Sequence, residues 1–351
     1  MIDRKKFISK WRIDSSPFAG LLDFEVGMFR PEDALGVARL VYEHYGELHP
    51  FDYVYNPDEI ARLFSSGQQY AVVARSVNGV VLGMIGMYRC APHPRIFELA
   101  QLMVLNSQRG RGIASLLWRR AINELPEVIG AVSIFGEAVC THAFSQKMCQ
   151  ETGMLFCGLV VDSIPARAYV SEKFQGERTS LILCSKVLKD TPHHVYLPAC
   201  YHAPYKTYCE HFNIKRNIVL SAPCALPSVT VFELIEFQIA HSIKVIIHSI
   251  GHDLPQILCD CENKTGGEGI VQVVFNLGDN NSIQGVETLR RYGYYLGGFL
   301  PLWFNSDGIL MQKRRDRPSF SKIKTFNHGA FQAKRMVQED YDALQISQTQ
   351  P

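Results

Sequence analysis

FELAQLMVLNSQRGRGIASLLWRRAINEL, residues Phe97 to Leu125, is the stretch from which the fold can be read. Phe97, Leu99, Leu102, Val104 and Leu105 form a short apolar run with the length and flanks of a strand, whereas Ile113, Leu116, Leu117 and Ala121 recur at helical spacing. A strand therefore hands over to a helix through Arg109-Gly110-Arg111-Gly112-Ile113-Ala114. The first N–H groups of a helix lack intrahelical partners and the helix dipole adds partial positive charge, so this turn suits an anion. Gly110 and Gly112 carry no Cβ, which lets the backbone approach a phosphate closely and adopt left-handed angles. Arg109 and Arg111 add fixed charge and several donors each. The turn is built for a pyrophosphate.

No lysine followed by serine or threonine trails the glycines, which argues against a Walker-type loop, and a bare Gly-x-Gly does not make a Rossmann fingerprint. The turn instead resembles the acetyl-CoA loop of the GCN5-related N-acetyltransferases (GNAT family), whose signature is Gln or Arg, two residues, Gly, one residue, then Gly or Ala. Arg109, Gly112 and Ala114 fill those places.

The rest of the first half supports the resemblance. Val26 to Phe29 reads as a strand, Arg30-Pro31-Glu32-Asp33 opens a helix through Val41, and Pro57-Asp58-Glu59 opens a second ending near Gly67. Tyr70 to Ser76 and Val80 to Tyr88 are β-rich runs around Asn78-Gly79, a strong hairpin signal. After the central strand and helix come a run from Ala131 to Val139, a helix from His142 to Thr152, and strands near Leu155 to Val161 and Thr179 to Val187. This is the GNAT order of elements, so the resemblance covers roughly residues 22 to 188 and implies an α/β acyl-CoA N-acyltransferase fold with a mixed sheet. Between His142 and Met154, where such enzymes often carry an Asn, a Leu-Tyr pair and a closing Gly-Phe, Gly153-Met154 matches the close. His142 replaces the Asn, and Met148-Cys149 replaces Leu-Tyr.

Beyond Lys186 the texture changes, with Pro192, Pro198 and Pro204 spaced along a Tyr- and His-rich segment, and a domain boundary is expected there. Val229 to Ile235, Ile243 to Ile250 and Ile270 to Leu277 read as strands, and His252 to Asn263 and Ser282 to Tyr292 as helices. Gly293-Tyr294 and strands near Tyr294 to Trp303 and Ile309 to Lys313 follow. Helix, Gly293-Tyr294, strand, turn, strand repeats the end of the first domain, so the second resembles a smaller, degenerate GNAT half. It lacks the loop: Gly266-Gly267-Glu268-Gly269 precedes a strand and reads as a turn. The expected organisation is an N-terminal extension (1–21), a GNAT domain (22–190), a degenerate GNAT-like domain (191–313) and a basic, partly helical tail (314–351), the tail read as a solvated surface.

At 351 residues and 47% hydrophobic content the chain has the length and apolar fraction for two cores. A net charge of +2 is too mild to imply nucleic acid or a membrane as partner of the whole chain. Apart from Cys259 and Cys261, too close to form half of a normal zinc site, the ten cysteines lack paired short spacings, which points to reduced thiols and a cytoplasmic protein. The basic start, with Lys5, Lys6, Lys10 and Arg12, has no apolar core after it and does not read as a secretory signal. No stretch is long and apolar enough to span a bilayer.

Acyl transfer from a thioester to an amine requires a hold on the thioester, a base for the ammonium and an acid for the thiolate. The resemblance implies that backbone groups of Leu102, Met103 and Val104 lie along the pantetheine, one N–H polarising the carbonyl. It places the base at Glu137, with Glu98 as rival; an acid inside Phe135-Gly136-Glu137-Ala138-Val139 costs free energy unless it has a partner or a task. The usual helix tyrosine is replaced by Cys149, a candidate acid or a buried filler. His142 either faces the donor or is structural. Cys200, His202, Cys209 and His211 lack standard zinc spacing, and no metal is expected. The implied activity is acetyl transfer from acetyl-CoA to an amine acceptor; the alternative is a non-catalytic acyl-CoA sensor.

Overall fold

The computed structural model describes residues 4–11, 23–165, 178–220, 225–266 and 269–349. The described residues separate into two compact units, one within Met1–Cys90 and Phe97–Ile134, the other within Ala91–Ile96, Phe135–Pro165 and Gly176–Pro351. The segment 1–21 lies outside the described residues except for a short helix α1 (Arg4–Trp11), and so do Gly267 and Glu268 of the glycine-rich turn.

In the first unit β1 (Phe24–Met28) leads through a 3-10 turn to α2 (Ala34–Tyr45) and then α3 (Pro57–Ser65). Helix α3 starts where the composition says it should: the Asn56 side chain accepts the Asp58 N–H at 3.2 Å and Pro57 supplies a fixed φ at the first position. Strands β2 (Gln69–Ser76) and β3 (Val81–Tyr88) form the expected hairpin, with Gly79 at φ +78° donating its N–H to the Ser76 carbonyl. Next come β4 (Ile96–Val104), α4 (Ile113–Asn123) and an unanticipated short α5 (Leu125–Ile129). The strands run antiparallel in the order β1-β2-β3-β4. Every residue of β3 is buried, and Val81 to Tyr88 reads accordingly as an unbroken apolar run, with α2 and α4 packed on it. The pair Arg75 and Asp33, both buried, ties β2 to the start of α2 at 2.9 Å.

The second unit begins with β5 (Ser133–Val139), α6 (Phe144–Glu151), β6 (Leu155–Pro165) and β7 (Arg178–Val187). A small parallel pair, β8 (His193–Val195) and β9 (Arg216–Ile218), flanks α7 (His202–Phe212). Then follow β10 (Val231–Phe237), β11 (Ser242–Ser249), α8 (Leu254–Lys264), β12 (Ile270–Asn276), α9 (Ser282–Arg291), β13 (Tyr295–Leu300), β14 (Gly308–Arg314) and α10 (His328–Thr349). Its strand order is β5-β7-β6-β13-β14-β12-β11-β10. The parallel pair β11 and β12 is joined by α8, as a parallel crossover requires. Strands β5 to β7 thus pack with the elements after residue 190.

Two turns in this unit are alike atom for atom. Gly153 (φ +73°) follows α6, and the Met154 N–H reaches back to the Cys149 carbonyl; Gly293 (φ +84°) follows α9, and the Tyr294 N–H reaches the Leu289 carbonyl. Each is a glycine-terminated helix that feeds the first strand of an antiparallel pair, β6 with β7 and β13 with β14. The two pairs meet at Gly158 opposite Gly298, where an added Cβ on Gly158 would collide with the Gly297 carbonyl oxygen.

The basic stretch of the tail is solvated at Arg315, Arg317, Lys322 and Lys324, all exposed, but Arg314 and the helix that follows are covered. Arg314 is nearly buried against Asp162 at 3.1 Å, and α10 packs on β6 and β13 through Ala330, Ala333, Val337 and Leu344. Asp340 of α10 accepts from Arg290 at 2.6 Å, Tyr201 at 3.0 Å and the Leu296 N–H at 2.7 Å. Charge density in 314–324 suggests solvent, but the apolar stripe three and four residues apart in the helix behind it buries that helix.

Candidate active site

The first unit supplies a strand with a bulge and a helix with an open end. On β4, Ala100 lies opposite Gly86 and Met103 opposite Met84, so Gln101 and Leu102 together face Ile85. This is a bulge, and Gln101 takes φ 57°, on the left-handed side, which a residue with a Cβ adopts only where its surroundings hold it. The holding groups are the Tyr88 hydroxyl, which donates to Gln101 Oε1 at 2.6 Å, and the His49 ring, whose Nε2 lies 3.3 Å from Gln101 Nε2. The Phe51 N–H donates to His49 Nδ1 at 3.2 Å. Burial lowers the pKa of His49 to about 4, so the ring is neutral at physiological pH. Burial pushes the Tyr88 phenol well above its ordinary range and Tyr53 to about 12. Nothing in the sequence singles out His49, Tyr88 or Gln101 beforehand; a bulge leaves no periodic signature, and only a Gln among apolar neighbours hints at it.

After β4 a 3-10 turn, Asn106–Gln108, leads to the glycines. Gly110 and Gly112 take φ +79° and +76°, and a Cβ on either would meet nothing within 4 Å. Gly112 is the N-cap of α4 and has no side chain to cap that end, and no acidic residue lies in the first turn. Ile113 is buried and Ala114 half-buried. Arg111 donates to Gln108 at 2.7 Å and lies over the Phe24 ring; Arg109 donates to His44 Nε2 at 3.3 Å on the surface. The donor set of backbone N–H groups, left-handed glycines and guanidinium groups suits a pyrophosphate. Leu102, Met103 and Val104 lead into it, Met103 and Val104 held in the ladder with β3. Glu98, half-buried, sits opposite Tyr88.

The second unit holds the other three candidates. Glu137, on β5, lies 3.8 Å from Lys244 Nζ of β11, and both side chains are partly exposed. Lys244 carries no sequence signal, because a lone lysine in an apolar strand reads as its solvent-facing position. His142 occupies the turn before α6, half-buried. Cys149 is buried, its Sγ 3.1 Å from Cys184 Sγ. Cys184 donates to the Gly136 carbonyl at 3.3 Å. The Cys149 thiol is therefore the donor between the two sulfurs. The neighbouring Cys149 sulfur and burial raise the Cys184 pKa well above the ordinary thiol value. Among the described residues no group of three or more His, Cys, Asp or Glu side chains is arranged to hold a metal ion, and no helix is long and apolar enough to cross a membrane.

A bulged β4 followed by a glycine-lined, uncapped helix start, in this order of elements, defines an acyl-CoA N-acyltransferase fold. Residues 38–154, a third of the chain, match the sequence model of the acetyltransferase (GNAT) family. Similar solved structures include an N-acetyltransferase from Staphylococcus aureus Mu50, 22% identical over 48% of this chain and 99% of that one, with a TM-score of 0.37. Another is YncA from Salmonella typhimurium, determined with its cofactor acetyl-CoA, at 16% identity, 48% and 96% coverage and a TM-score of 0.38. A third is the spermidine/spermine N-acetyltransferase SpeG from Vibrio cholerae, determined in mutant forms, at 14% identity, 47% and 95% coverage and a TM-score of 0.36. No curated protein matches the chain in sequence. Acetyl transfer is the general chemistry that the family match supports.

Proposed function

We propose that this protein is an acetyl-CoA-dependent N-acetyltransferase acting on an amine by direct attack. The observation that carries the reading is the Arg109–Ala114 turn, with two left-handed glycines opening onto the uncapped start of α4. Its backbone N–H groups, with Arg109 and Arg111, would hold the donor's pyrophosphate, and the backbone from Leu102 to Val104 would lie along the pantetheine. The donor supplies a thioester carbonyl carbon, which bonds to the amine nitrogen as its C–S bond breaks and CoA leaves as the thiolate. Glu137 takes the ammonium proton as general base and passes it to solvent. Cys149, whose proton is committed to Cys184 in a closed interior, is left out of this scheme, and the second proton that the nitrogen loses on becoming an amide reaches the departing thiolate through water. The bulge residue Gln101, fixed by Tyr88 and His49, keeps the β4 backbone in shape. In this reading residues 22–190 form the catalytic domain and 191–313 a degenerate GNAT-like domain, and the matching Gly153 and Gly293 turns support the repeat between them.

One observation favours a second reading, an acyl-CoA sensor without turnover: the place of the usual acid is filled by a sealed thiol, and Glu137 already faces a cation. Two variants separate the readings. Gly112→Trp should abolish acetyl-CoA binding in calorimetry while leaving the fold intact, and unchanged affinity would refute the loop assignment. Glu137→Gln should slow CoA release with an accepted amine by about 10²-fold or more, the range a positioned base contributes. Tight acetyl-CoA binding with no release across a broad amine panel would establish the sensor instead.

A further inference from the structure

We propose that Cys149 and Cys184 are a redox-modification site, closing to a disulfide when the protein meets a peroxide small enough to enter the second unit. The proposal is independent of the transferase reading. Cys149 lies on α6 and Cys184 on β7, both side chains are buried, and their sulfurs stand 3.1 Å apart. A disulfide bond is about 2.05 Å long, so closure asks the two sulfurs to approach by roughly 1 Å. Two thiols already in contact need only an oxidant that can reach one of them.

The way in is a narrow cleft lined in part by Glu137, Cys157, Cys184 and Lys244, with about 20 Å³ of room, enough for one water-sized molecule. Hydrogen peroxide is little larger than water, whereas a disulfide reagent such as oxidised glutathione is far too large. Cys184 lines this cleft and Cys149 does not, so Cys184 reacts first. Its Sγ attacks one peroxide oxygen, the O–O bond breaks, and the thiol proton leaves with the departing hydroxide as water, giving a sulfenic acid. Cys149 Sγ then attacks that sulfur. The S–S bond forms, the S–O bond breaks, and the hydroxide leaves with the Cys149 proton as a second water. Two electrons pass from the two thiols to the peroxide. The neighbouring Cys149 sulfur and burial keep Cys184 protonated at neutral pH, so the reaction is slow and quickens as pH rises. In the reduced chain Cys184 donates to the Gly136 carbonyl at 3.3 Å; the disulfide has no proton to give, so oxidation withdraws a hydrogen bond beside Glu137.

The test is peptide mapping of the full chain after native incubation with hydrogen peroxide at mildly alkaline pH, stopped with N-ethylmaleimide in urea. Trypsin and Glu-C together cut after Lys147, Glu151, Arg178 and Lys186, which puts Cys149, Cys157 and Cys184 on separate peptides. The expected product is residues 148–151 linked to residues 179–186, two hydrogens lighter than the two peptides together and released by dithiothreitol. Cumene hydroperoxide, too bulky for the cleft, should form it roughly tenfold or more slowly. Cys149→Ser should leave Cys184 to go on to the sulfinic acid, and Cys184→Ser should leave Cys149 reduced at the same dose; circular dichroism checks that both variants fold. Four results would overturn the proposal: a link from Cys184 to Cys157 in place of Cys149, sulfinic acid on Cys184 of the parent with no link, both thiols fully alkylated, or equal rates with the two peroxides.

Discussion

Replacing Arg216 with methionine should be among the most destabilising single changes in the second unit. The guanidinium is fully buried and donates to Asp307 at 2.9 and 3.1 Å and to Asp190 at 2.8 and 3.1 Å. Asp307, also fully buried, additionally accepts from the Tyr205 hydroxyl at 2.7 Å and the Leu302 N–H at 2.9 Å. His193 lies beside it, its Nε2 receiving the Asp307 N–H at 3.0 Å. Burial alone would raise the Asp307 pKa, but the His193 contact and the Arg216 charge more than offset it and hold the carboxyl below its ordinary value. Arg216→Met therefore leaves a buried carboxylate with two donors and no cation, a loss of about 3–5 kcal/mol. For a unit of this size about 4 kcal/mol corresponds to a fall in Tm of roughly 8–16 °C. The assay is a double-mutant cycle in urea: Arg216→Met, Asp307→Leu and the pair, followed by tryptophan fluorescence. The pair should cost less than the sum of the singles by about 2 kcal/mol, since removing both charges leaves no fully buried charge stranded and Asp190 is partly exposed. Additive single effects, each below about 1 kcal/mol, would refute the assignment. Because the folded pKa is depressed, the contribution of Asp307 is full above the unfolded carboxyl value near 3.8 and is lost as pH falls through the folded value.

His49 should show no imidazole titration by NMR between pH 5 and 8. Its pKa falls from 6.5 unfolded to about 4 folded, so stability should decline by about 3 kcal/mol as pH drops across that interval, and His49→Gln should flatten the slope. Gly112→Ala places a Cβ in open space, so its cost comes from the left-handed angle alone. Urea unfolding should register roughly 1 to about 2 kcal/mol for it, and a larger loss would mean an unseen contact. Gly158→Ala should be far worse, because its Cβ meets the backbone of Gly297 and Gly298; a variant with near-parental Tm would show that β13 can shift away from β6 at little cost. Glycine is at ease at the φ of 57° that Gln101 adopts. Gln101→Gly should therefore leave stability within about 1 kcal/mol of the parent, yet lower acetyl transfer by freeing the bulge; unchanged turnover would make the Tyr88 and His49 contacts purely structural.

The strand, turn and helix at Phe97–Leu125 are legible because alternation, glycines and helical spacing each have one simple local cause. The hairpin at Asn78-Gly79 is legible for the same reason. What the sequence hides is long-range. Helix α7 is obscured by Pro204 and by histidines and cysteines that suggest ligands, although Tyr201, Tyr205, Tyr208 and Phe212 recur at the spacing of a buried stripe, the three tyrosines packing on Phe299. In the candidate site, the loop can be read locally, but the facing of Glu137 and Lys244 joins residues far apart in the chain, a pairing that no sequence window contains. The bulge at Gln101 is likewise decided by side chains from β3 and the segment before α3.

The packing of α10 on β6 has a consequence for how the protein is made. Strand β6 leaves the ribosome long before the helix that covers it, with β7 through β14 synthesised in between. Until then Phe156, which lies against Gly329 of α10 in the finished fold, awaits cover, in the part of the chain that also carries the candidate base. Synthesis thus imposes a waiting interval in which this unit depends on chaperones or on speed. Synonymous slow codons between β7 and α10 should lower the yield of folded protein far more than the same codons placed before β5.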